Sequence, residues 1–219
     1  MEQPAFLALL PEVVGRPALD RGCDAGQLAH YLAGSGAAEV VGVDVSEHML
    51  EPARTWWAHP RVTYRRVAME QVTFPAGQLD LVVSSLAFHY VADYAELVRR
   101  IARWLAPGGI LVYSTEHPIY TPRSASGTAD GWILDAAGKR VGWALDRYAD
   151  DGQREHTRFV EGVRRYHRTV ATPLNGLIDA GLTLEQVMEP APSEAWLRER
   201  AHAADEPRRP VFLLVRARK

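Results

Sequence analysis

Cysteine is nearly absent from the sequence. Cys23 is the only cysteine, so no disulfide can form within the chain. The N-terminus also lacks the charged, apolar and small-residue regions of a secretory signal. Apolar stretches such as Leu79–Tyr90 are too short to cross a bilayer as a helix. These absences predict a protein of the reducing cytoplasm that does not enter a membrane.

The sequence also has no block of charge of one sign. It carries 25 Lys and Arg residues against 27 Asp and Glu residues, and the two signs are mixed along the chain. A nucleic-acid or anionic-membrane partner usually requires a basic patch, so neither partner is expected. With 219 residues, 47% of them hydrophobic, the chain falls within the range of a single domain, which we predict over 1–219.

Short β-branched or leucine-rich segments alternate with segments of helical periodicity. The predicted strands are Pro17–Asp20, Glu39–Asp44, Val62–Arg66, Leu79–Ser84, Ile110–Thr115, Leu182–Glu189 and Pro210–Ala217. The predicted helices are one that begins at Phe6–Leu10, then Gly26–Ala33, Ser46–Ala58, Ala92–Leu105, Val170–Ala180 and Ser193–Ala201. This order predicts an α/β, Rossmann-like fold: a mostly parallel seven-stranded sheet with helices on both faces and an antiparallel C-terminal edge strand. Such a sheet binds its ligands at the carboxyl ends of the strands.

The first predicted strand runs into a turn that contains Gly22 and Gly26 before a helix begins. The second strand ends in Asp44, about 20 residues farther on, where a carboxylate can accept the ribose hydroxyls of an adenosine. A dinucleotide is disfavoured, because the turn is not G-x-G-x-x-G and Asp24 would repel a pyrophosphate. S-adenosylmethionine (SAM) carries no phosphate, and its ammonium group suits the carboxylate of Asp20. The turn therefore favours SAM as the cofactor.

Three motifs resemble the successive motifs of class I SAM-dependent methyltransferases. They are Leu19-Asp20-x-Gly22-Cys23-x-x-Gly26, Val43-Asp44 and Ala106-Pro107-Gly108-Gly109. Five further motifs are similar to those of a bacterial subgroup of small-molecule methyltransferases: Ser84–Tyr90 (SSLAFHY), Glu116–Tyr120 (EHPIY), Asp146–Tyr148 (DRY), Tyr166–Thr169 (YHRT) and Glu189-Pro190-x-Pro192. The resemblance covers nearly the whole chain, and the motifs are specific as a set.

The resemblance implies a set of cofactor contacts. Asp20, Gly22 and Gly26 surround the methionyl part, Asp44 holds the ribose, Val45 and Met49 pack on the adenine, Ala68, Met69 and Glu70 border its edge, and Ser84 and Leu86 lie below the sulfonium. From the residues alone, Met49 and Met69 also fit a hydrophobic core, and Glu70 also fits an exposed helix start.

The sequence departs from the family pattern in the turn after its first strand and at its N-terminus. Position 24 is usually glycine, and the carboxylate of Asp24 would lie near that of the cofactor. Position 21 is usually apolar, whereas Arg21 either neutralises Asp24 or points outward. Relatives carry several dozen further residues before the first helix, and these help to cover the cofactor. The departures predict that SAM binds weakly or that a partner closes the site.

Histidines supply the candidates for a base, which methyl transfer needs when the acceptor is a hydroxyl or an acidic carbon. His89 and His117 follow the fourth and fifth strands, and His167 lies where the chain returns to the sheet. His167, oriented by Glu116, is the preferred base. The alternatives are that His89 is a packing residue and that His117 caps its strand. No H-x-x-x-H or C-x-x-C spacing occurs at a site, so no metal is expected.

The segment 116–166 follows the fifth strand at the ligand edge and has no helical period. Its aromatic residues Trp132, Trp143, Tyr148 and Phe159 suit the wall of an apolar pocket. We therefore predict an inserted substrate cover.

Together these features predict a SAM-dependent methyltransferase that acts on an O, N or C atom of a small molecule. The alternative is an accessory or regulatory protein that binds SAM or S-adenosylhomocysteine (SAH) without methyl transfer, which Asp24 and the short N-terminus favour. A third hypothesis is a SAM-binding enzyme of another reaction, such as an intramolecular cyclisation. The sequence does not identify the acceptor and leaves a homodimer open.

Overall fold

The computed structural model describes residues 1–121, 131–155, 164–200 and 203–219. The helices in these ranges are α1 (Glu2–Leu9), α2 (Gln27–Gly34), α3 (Glu47–Thr55), α4 (Tyr94–Trp104), α5 (Ala171–Asp179) and α6 (Glu194–Arg198). The strands are β1 (Pro17–Arg21), β2 (Glu39–Asp44), β3 (Val62–Arg66), β4 (Leu79–Ser84), β5 (Leu105–Glu116), β6 (Trp132–Leu134), β7 (Arg140–Trp143), β8 (Gly152–Glu155), β9 (Arg164–His167), β10 (Thr183–Met188) and β11 (Phe212–Arg218). None of these described helices is long and apolar enough to span a membrane. Phe159 and Ala201, which the sequence analysis named, lie outside the described residues.

Seven strands form one sheet in the order β10-β11-β5-β4-β1-β2-β3. Strands β1 to β5 run parallel to one another, whereas β11 runs antiparallel to both β5 and β10. The predicted mostly parallel sheet with an antiparallel C-terminal strand is confirmed. The C-terminal pair forms one edge, in which β10 is outermost and β11 lies between β10 and β5.

Two hydrophobic cores lie on opposite faces of the sheet, because successive side chains of a strand point to opposite faces. Leu19 of β1 shares one core with Ile101 of α4. Leu81 of β4 shares the other core with Leu9 of α1 and Leu32 of α2. Helices therefore pack on both faces, as predicted, and α1 begins at Glu2 rather than in the segment Phe6–Leu10.

After β5 the chain forms two small antiparallel pairs outside the main sheet, β6 with β7 and β8 with β9. The rings of Trp132 and Trp143 meet across the first pair with centroids 5.2 Å apart. The guanidinium of Arg209 lies 4.3 Å from the centroid of Trp143 and 5.1 Å from that of Tyr120. This cation–aromatic cluster attaches the β6–β7 hairpin to the segment that precedes β11.

Candidate active site

The carboxyl ends of β1 to β4 border a cavity of about 980 Å³. Most residues that the resemblance assigned to the cofactor line it, namely Asp20, Gly22, Asp44, Val45, Met49, Ala68, Met69, Glu70 and Leu86. Gly26 and Ser84, the other two, are not among the lining residues. The edge of the sheet at which a ligand was expected therefore holds space for one.

Asp20, near the end of β1, is a buried carboxylate at the cavity. Its side chain lines the cavity but is only 1% exposed, and neither carboxylate oxygen has a hydrogen-bond partner among the residues that the structure describes. Burial and, to a smaller extent, the neighbouring carboxylates of Asp44 and Asp24 raise the pKa of Asp20 to about 7, although the nearby backbone amide of Ala29 lowers it. An ionised carboxylate without a partner has a high desolvation free energy in a low-dielectric wall. The position is therefore suited to a cationic ligand group.

Asp44, at the end of β2, is held in place by backbone groups. Its Oδ2 accepts a hydrogen bond from the Asp24 amide at 3.1 Å, and its Oδ1 accepts one from the Ser46 amide at 2.9 Å. Each carboxylate oxygen can accept a further hydrogen bond, because each has two lone pairs. The two amides thus fix a carboxylate that can still bind a pair of hydroxyl groups.

The turn between β1 and α2 requires residues that tolerate positive φ. Gly22 has φ +71°, and a Cβ there would lie 2.5 Å from the Cβ of Ala87. Gly26 has φ +87°, and a Cβ there would lie 2.4 Å from the Tyr64 hydroxyl. Asp24 has φ +49°, a left-handed conformation that Asp tolerates better than most residues. Gly26 does not line the cavity, but its positive φ and its lack of a side chain allow the turn to take this course.

The end of β4 holds one buried serine and one strained residue. Ser84 is fully buried and donates a hydrogen bond from Oγ to the Arg21 carbonyl at 2.8 Å, so it ties β4 to β1. Leu86 has φ +51°, which is rare for a residue other than glycine. Its amide donates to both the carbonyl (3.1 Å) and the Oγ (3.0 Å) of Ser114 in β5. These bonds hold the strained turn at the cavity wall.

Arg21 neither neutralises Asp24 nor points outward, so both expectations for it were wrong. It is fully buried, its guanidinium lies 5.2 Å from the Trp104 ring centroid, and it donates to the Met69 carbonyl. Arg100 lies at the same distance from that ring and donates to the carbonyls of Glu70 and Val72. Burial and the nearby Arg100 lower the pKa of Arg21 to about 9. The two arginines fix the segment 69–72 beside the cavity.

Helix α1 covers part of the cavity, which the sequence analysis did not foresee. Glu2, Gln3, Phe6 and Leu7 all line it. Glu2 Oε1 accepts hydrogen bonds from two hydroxyls, Ser85 Oγ at 2.9 Å and Ser114 Oγ at 2.5 Å. No motif in the sequence marks Glu2, because its partners lie more than 80 residues away along the chain.

His167 lies outside the cavity wall, and its two ring nitrogens both have protein partners. Its Nε2 lies 2.9 Å from the Tyr148 carbonyl, which can only accept, so Nε2 carries the hydrogen. Its Nδ1 lies 2.6 Å from the Thr121 hydroxyl. Burial lowers the pKa of His167, so its neutral form is favoured. This position does not support the expected role as base.

The other two histidines do not line the cavity either. The Ile119 amide donates to His117 Nδ1 at 3.1 Å, so Nε2 donates to Glu189 Oε1 at 2.7 Å. His89 is buried, with its ring 4.1 Å from that of Tyr90 and its Nδ1 3.3 Å from the Thr115 hydroxyl. The expected convergence of the three histidines on one pocket is therefore absent from the described residues.

Glu116 was expected to orient His167 but instead forms an ion pair with the buried Arg165. Nearby, Tyr90 does line the cavity, and burial together with the Glu116 carboxylate raises the pKa of its hydroxyl. Arg164 of β9 lines it as well. Among the residues that the structure describes, no group of three or more His, Cys, Asp or Glu side chains is arranged to hold a metal ion.

Comparison with known proteins identifies the family. A family model described as a methyltransferase domain matches residues 19–113. The crystal structure of a SAM-dependent methyltransferase from Mesorhizobium loti is 43% identical, covers 100% of this chain and 97% of that one, and has a TM-score of 0.90. This chain belongs to the SAM-dependent methyltransferases. An uncharacterized protein from Haemophilus influenzae is also 34% identical over 100% of this methyltransferase and 87% of its own length.

Relatives with a named substrate match only part of this methyltransferase. N-demethylindolmycin N-methyltransferase from Streptomyces griseus is 36% identical over 47% of this chain and 45% of its own length. A ubiquinone biosynthesis O-methyltransferase from Bordetella avium is 38% identical over 46% of this chain and 43% of its own. The chain thus spans less than half of either relative, and the two names differ in the atom methylated.

SAM is the cofactor of this methyltransferase, and the side chains at the cavity fit it. Asp20 is a buried carboxylate that forms no hydrogen bond with the described residues, and an ammonium group can neutralise it. Asp44 is a second carboxylate, with lone pairs left for hydroxyl groups. Neither feature suits a phosphate.

Proposed function

We propose that this methyltransferase transfers the methyl group of SAM to an oxygen, nitrogen or carbon atom of a small molecule held in the described cavity. The observation that carries the proposal is the unpartnered, buried carboxylate of Asp20 in the wall of a space of about 980 Å³. Cavities of roughly 300 to 1,000 Å³ are typical of small-molecule sites, so this one has room for the cofactor and a small acceptor.

The cofactor would lie across the sheet from β3 to β4. Asp20 and the tight approach at Gly22 support a site for the methionyl part, and Asp44 supports a site for the ribose. The adenine would pack in the wall made by Val45, Met49, Ala68, Met69 and Glu70, and Leu86 would lie near the sulfonium. Gly26 and Ser84 do not line the cavity, so they would support the cofactor indirectly. Gly26 lets the turn pack against Tyr64, and Ser84 ties β4 to β1.

SAM supplies an activated methyl group, so the protein chiefly has to orient the acceptor and exclude water. Helix α1 covers the cavity and limits the access of water. The hydrogen bonds from the Leu86 amide to Ser114 hold the turn after β4 in one conformation. Tyr90, with its raised pKa, stays protonated at neutral pH and can donate a hydrogen bond to the acceptor.

We propose that the segment 116–166 borders the acceptor end of the cavity through its described part at β9, in a way that differs from the sequence prediction. Trp132 and Trp143, which were expected to wall the pocket, pack on Arg209 and are not among the lining residues. Within this segment, Arg164 of β9 lines the cavity. The support for a cover comes from this arginine and from the direct connection of the segment to β5.

Calorimetry and a turnover screen test the proposed function. SAM and SAH should each bind with a stoichiometry of one, and the screen should measure SAH formation with phenols, amines, carboxylic acids and acidic carbon compounds. We expect at least one class to stimulate SAH formation. Tight SAM binding without stimulation by any of these classes would contradict a small-molecule acceptor.

A further inference from the structure

Glu2 places a carboxylate in the cavity from an element that the family motifs do not include. Its Oε1 accepts from Ser85 Oγ, just after β4, and from Ser114 Oγ, in β5. Both of these bonds go to Oε1, and the described residues provide no hydrogen-bond partner for Oε2. A carboxylate that is fixed through one oxygen can offer the other to a ligand.

The order of the strands places Glu2 away from the proposed adenosine site. Asp44 and the segment 68–70 lie at the ends of β2 and β3, on one side of β1. The two serines that hold Glu2 belong to β5 and to the end of β4, on the other side. Asp20 lies near the end of β1, between these two sides. A cofactor that spans the Asp44 and Asp20 sites therefore directs its reactive end toward Glu2.

A chain of hydrogen bonds links Glu2 to the strained turn. The Leu86 amide donates to Ser114 Oγ, and this hydroxyl in turn donates to Glu2 Oε1. Leu86 holds φ +51° in this arrangement. Residues kept in a sparsely populated conformation by their surroundings concentrate at functional sites. The same network therefore sets the position of the turn and of the carboxylate.

We propose that Glu2 is a catalytic residue that binds the acceptor's proton-bearing nucleophile, an N–H or O–H group. This inference rests on the proposed function. The nucleophile's lone pair forms the bond to the methyl carbon, the electron pair of the carbon–sulfur bond returns to sulfur, and the proton that the nucleophile sheds passes to Glu2. The predicted substrate class is a small amine or hydroxyl compound.

The SAM analogue sinefungin tests the proposal without knowledge of the acceptor, because it carries an amino group where SAM carries the transferable methyl. SAH carries no group there. Calorimetry should compare both ligands on the wild-type protein, on Glu2→Gln and on the control Glu12→Gln, which removes an exposed carboxylate outside the cavity. Glutamine keeps an oxygen for the two serines but loses the charge.

We expect Glu2→Gln to weaken sinefungin binding by about tenfold or more while SAH affinity changes less than about twofold, the scale of one lost charge-assisted hydrogen bond. Glu12→Gln should change neither affinity. An equal effect of Glu2→Gln on both ligands would overturn the role of Glu2 and leave the proposed function intact. Failure of both ligands to bind the wild-type protein would overturn the proposed function itself.

A second measurement needs no variant and does not depend on whether Glu2→Gln folds. In a crystal structure of the wild-type protein with sinefungin, we expect the extra amino nitrogen within hydrogen-bond distance of Glu2. An amino group directed away from Glu2, with the carboxylate still bound only to its serines, would show that Glu2 merely attaches α1 to the sheet.

Discussion

The ends of β1 to β4 and the segment that follows β5 use polar side chains in opposite ways. At the strand ends, Asp20 lines the cavity and has no hydrogen-bond partner within the described part of the chain. After β5, His117, His167 and Glu116 all have protein partners and do not line it. The difference teaches that a buried polar group points to a ligand when its hydrogen bonds are missing, not merely when it lies near the ligand edge.

Burial shifts the pKa of titratable side chains in both regions. Burial raises the pKa of Asp20 to about 7, whereas it lowers the pKa of His117 and His167. All three shifts favour the neutral form. In ligand-free protein, Asp20 therefore makes stability fall as pH rises from 3.8 toward about 7, because the unfolded chain gives up that proton first. The histidines make stability fall as pH drops below 6.5, because the unfolded chain takes up protons first.

His167→Ala should have the largest effect of the variants considered, on stability. The substitution leaves a cavity and removes the partners of the Tyr148 carbonyl and the Thr121 hydroxyl. We expect a loss of about 2 to 4 kcal/mol in the free energy of unfolding, measured by urea titration, with SAH affinity unchanged. His48→Ala, on the exposed side of α3, is the control and should be neutral. A variant with wild-type stability and SAH affinity but no turnover would restore His167 as the base.

Asp44→Ala should have the next largest effect, on binding. It removes the carboxylate proposed to bind the ribose and the acceptor of two backbone amides. We expect SAH affinity to fall at least tenfold, about 1.4 kcal/mol or more, in calorimetry. Asp179→Ala, at an exposed position of α5, is the matched control. Unchanged SAH affinity in Asp44→Ala would remove the ribose assignment.

The two regions also explain how much the sequence could predict. The strands β2, β3 and β4 have the predicted bounds, because alternating apolar runs and turn residues are local signals. Asp44 was assigned to the cavity edge because a parallel strand fixes where its own last residue lies. Predictions of strand bounds and of residues at strand ends need only local sequence and the order of the strands and helices.

The remaining features depend on residues far apart in the sequence. Glu2 reaches the cavity through serines of β5 and the end of β4, and Arg21 is buried against Trp104, 83 positions later. The partner of Glu116 is Arg165, not the expected His167. A histidine in sequence carries no sign of whether tertiary packing will satisfy both ring nitrogens. The catalytic assignments therefore stay predictions that this geometry does not support, whereas the cofactor assignments follow from the order of the elements.

The unpartnered state of Asp20 predicts a pH dependence of binding. Since a cation requires the ionised carboxylate, raising the pH from 6 to 8 through a pKa of about 7 should tighten SAH binding by about tenfold. Binding at pH 6 should release about one proton, which calorimetry in buffers of different ionisation enthalpy detects. Asp20→Asn should bind SAH with little pH dependence over this range. Equal proton release in that variant would assign the titration to another group.

Asp24→Gly should have the smallest effect. It tests whether the charge of Asp24 at the cavity edge weakens SAM binding. Burial and the Asp44 carboxylate raise the pKa of Asp24, and Arg21 is buried elsewhere and cannot neutralise it. Removing the charge should tighten SAM binding a few-fold, because Asp24 would otherwise repel the carboxylate of SAM. Asp24→Asn separates charge from backbone, since Asn also tolerates φ +49°. If both variants bind SAM more tightly to the same extent, the lost charge is the cause. If only Asp24→Gly does, the cause is relief of the left-handed backbone conformation. If neither variant binds SAM more tightly, solvent already screens Asp24, and the edge of the sheet is electrostatically matched to its cofactor despite the acidic turn.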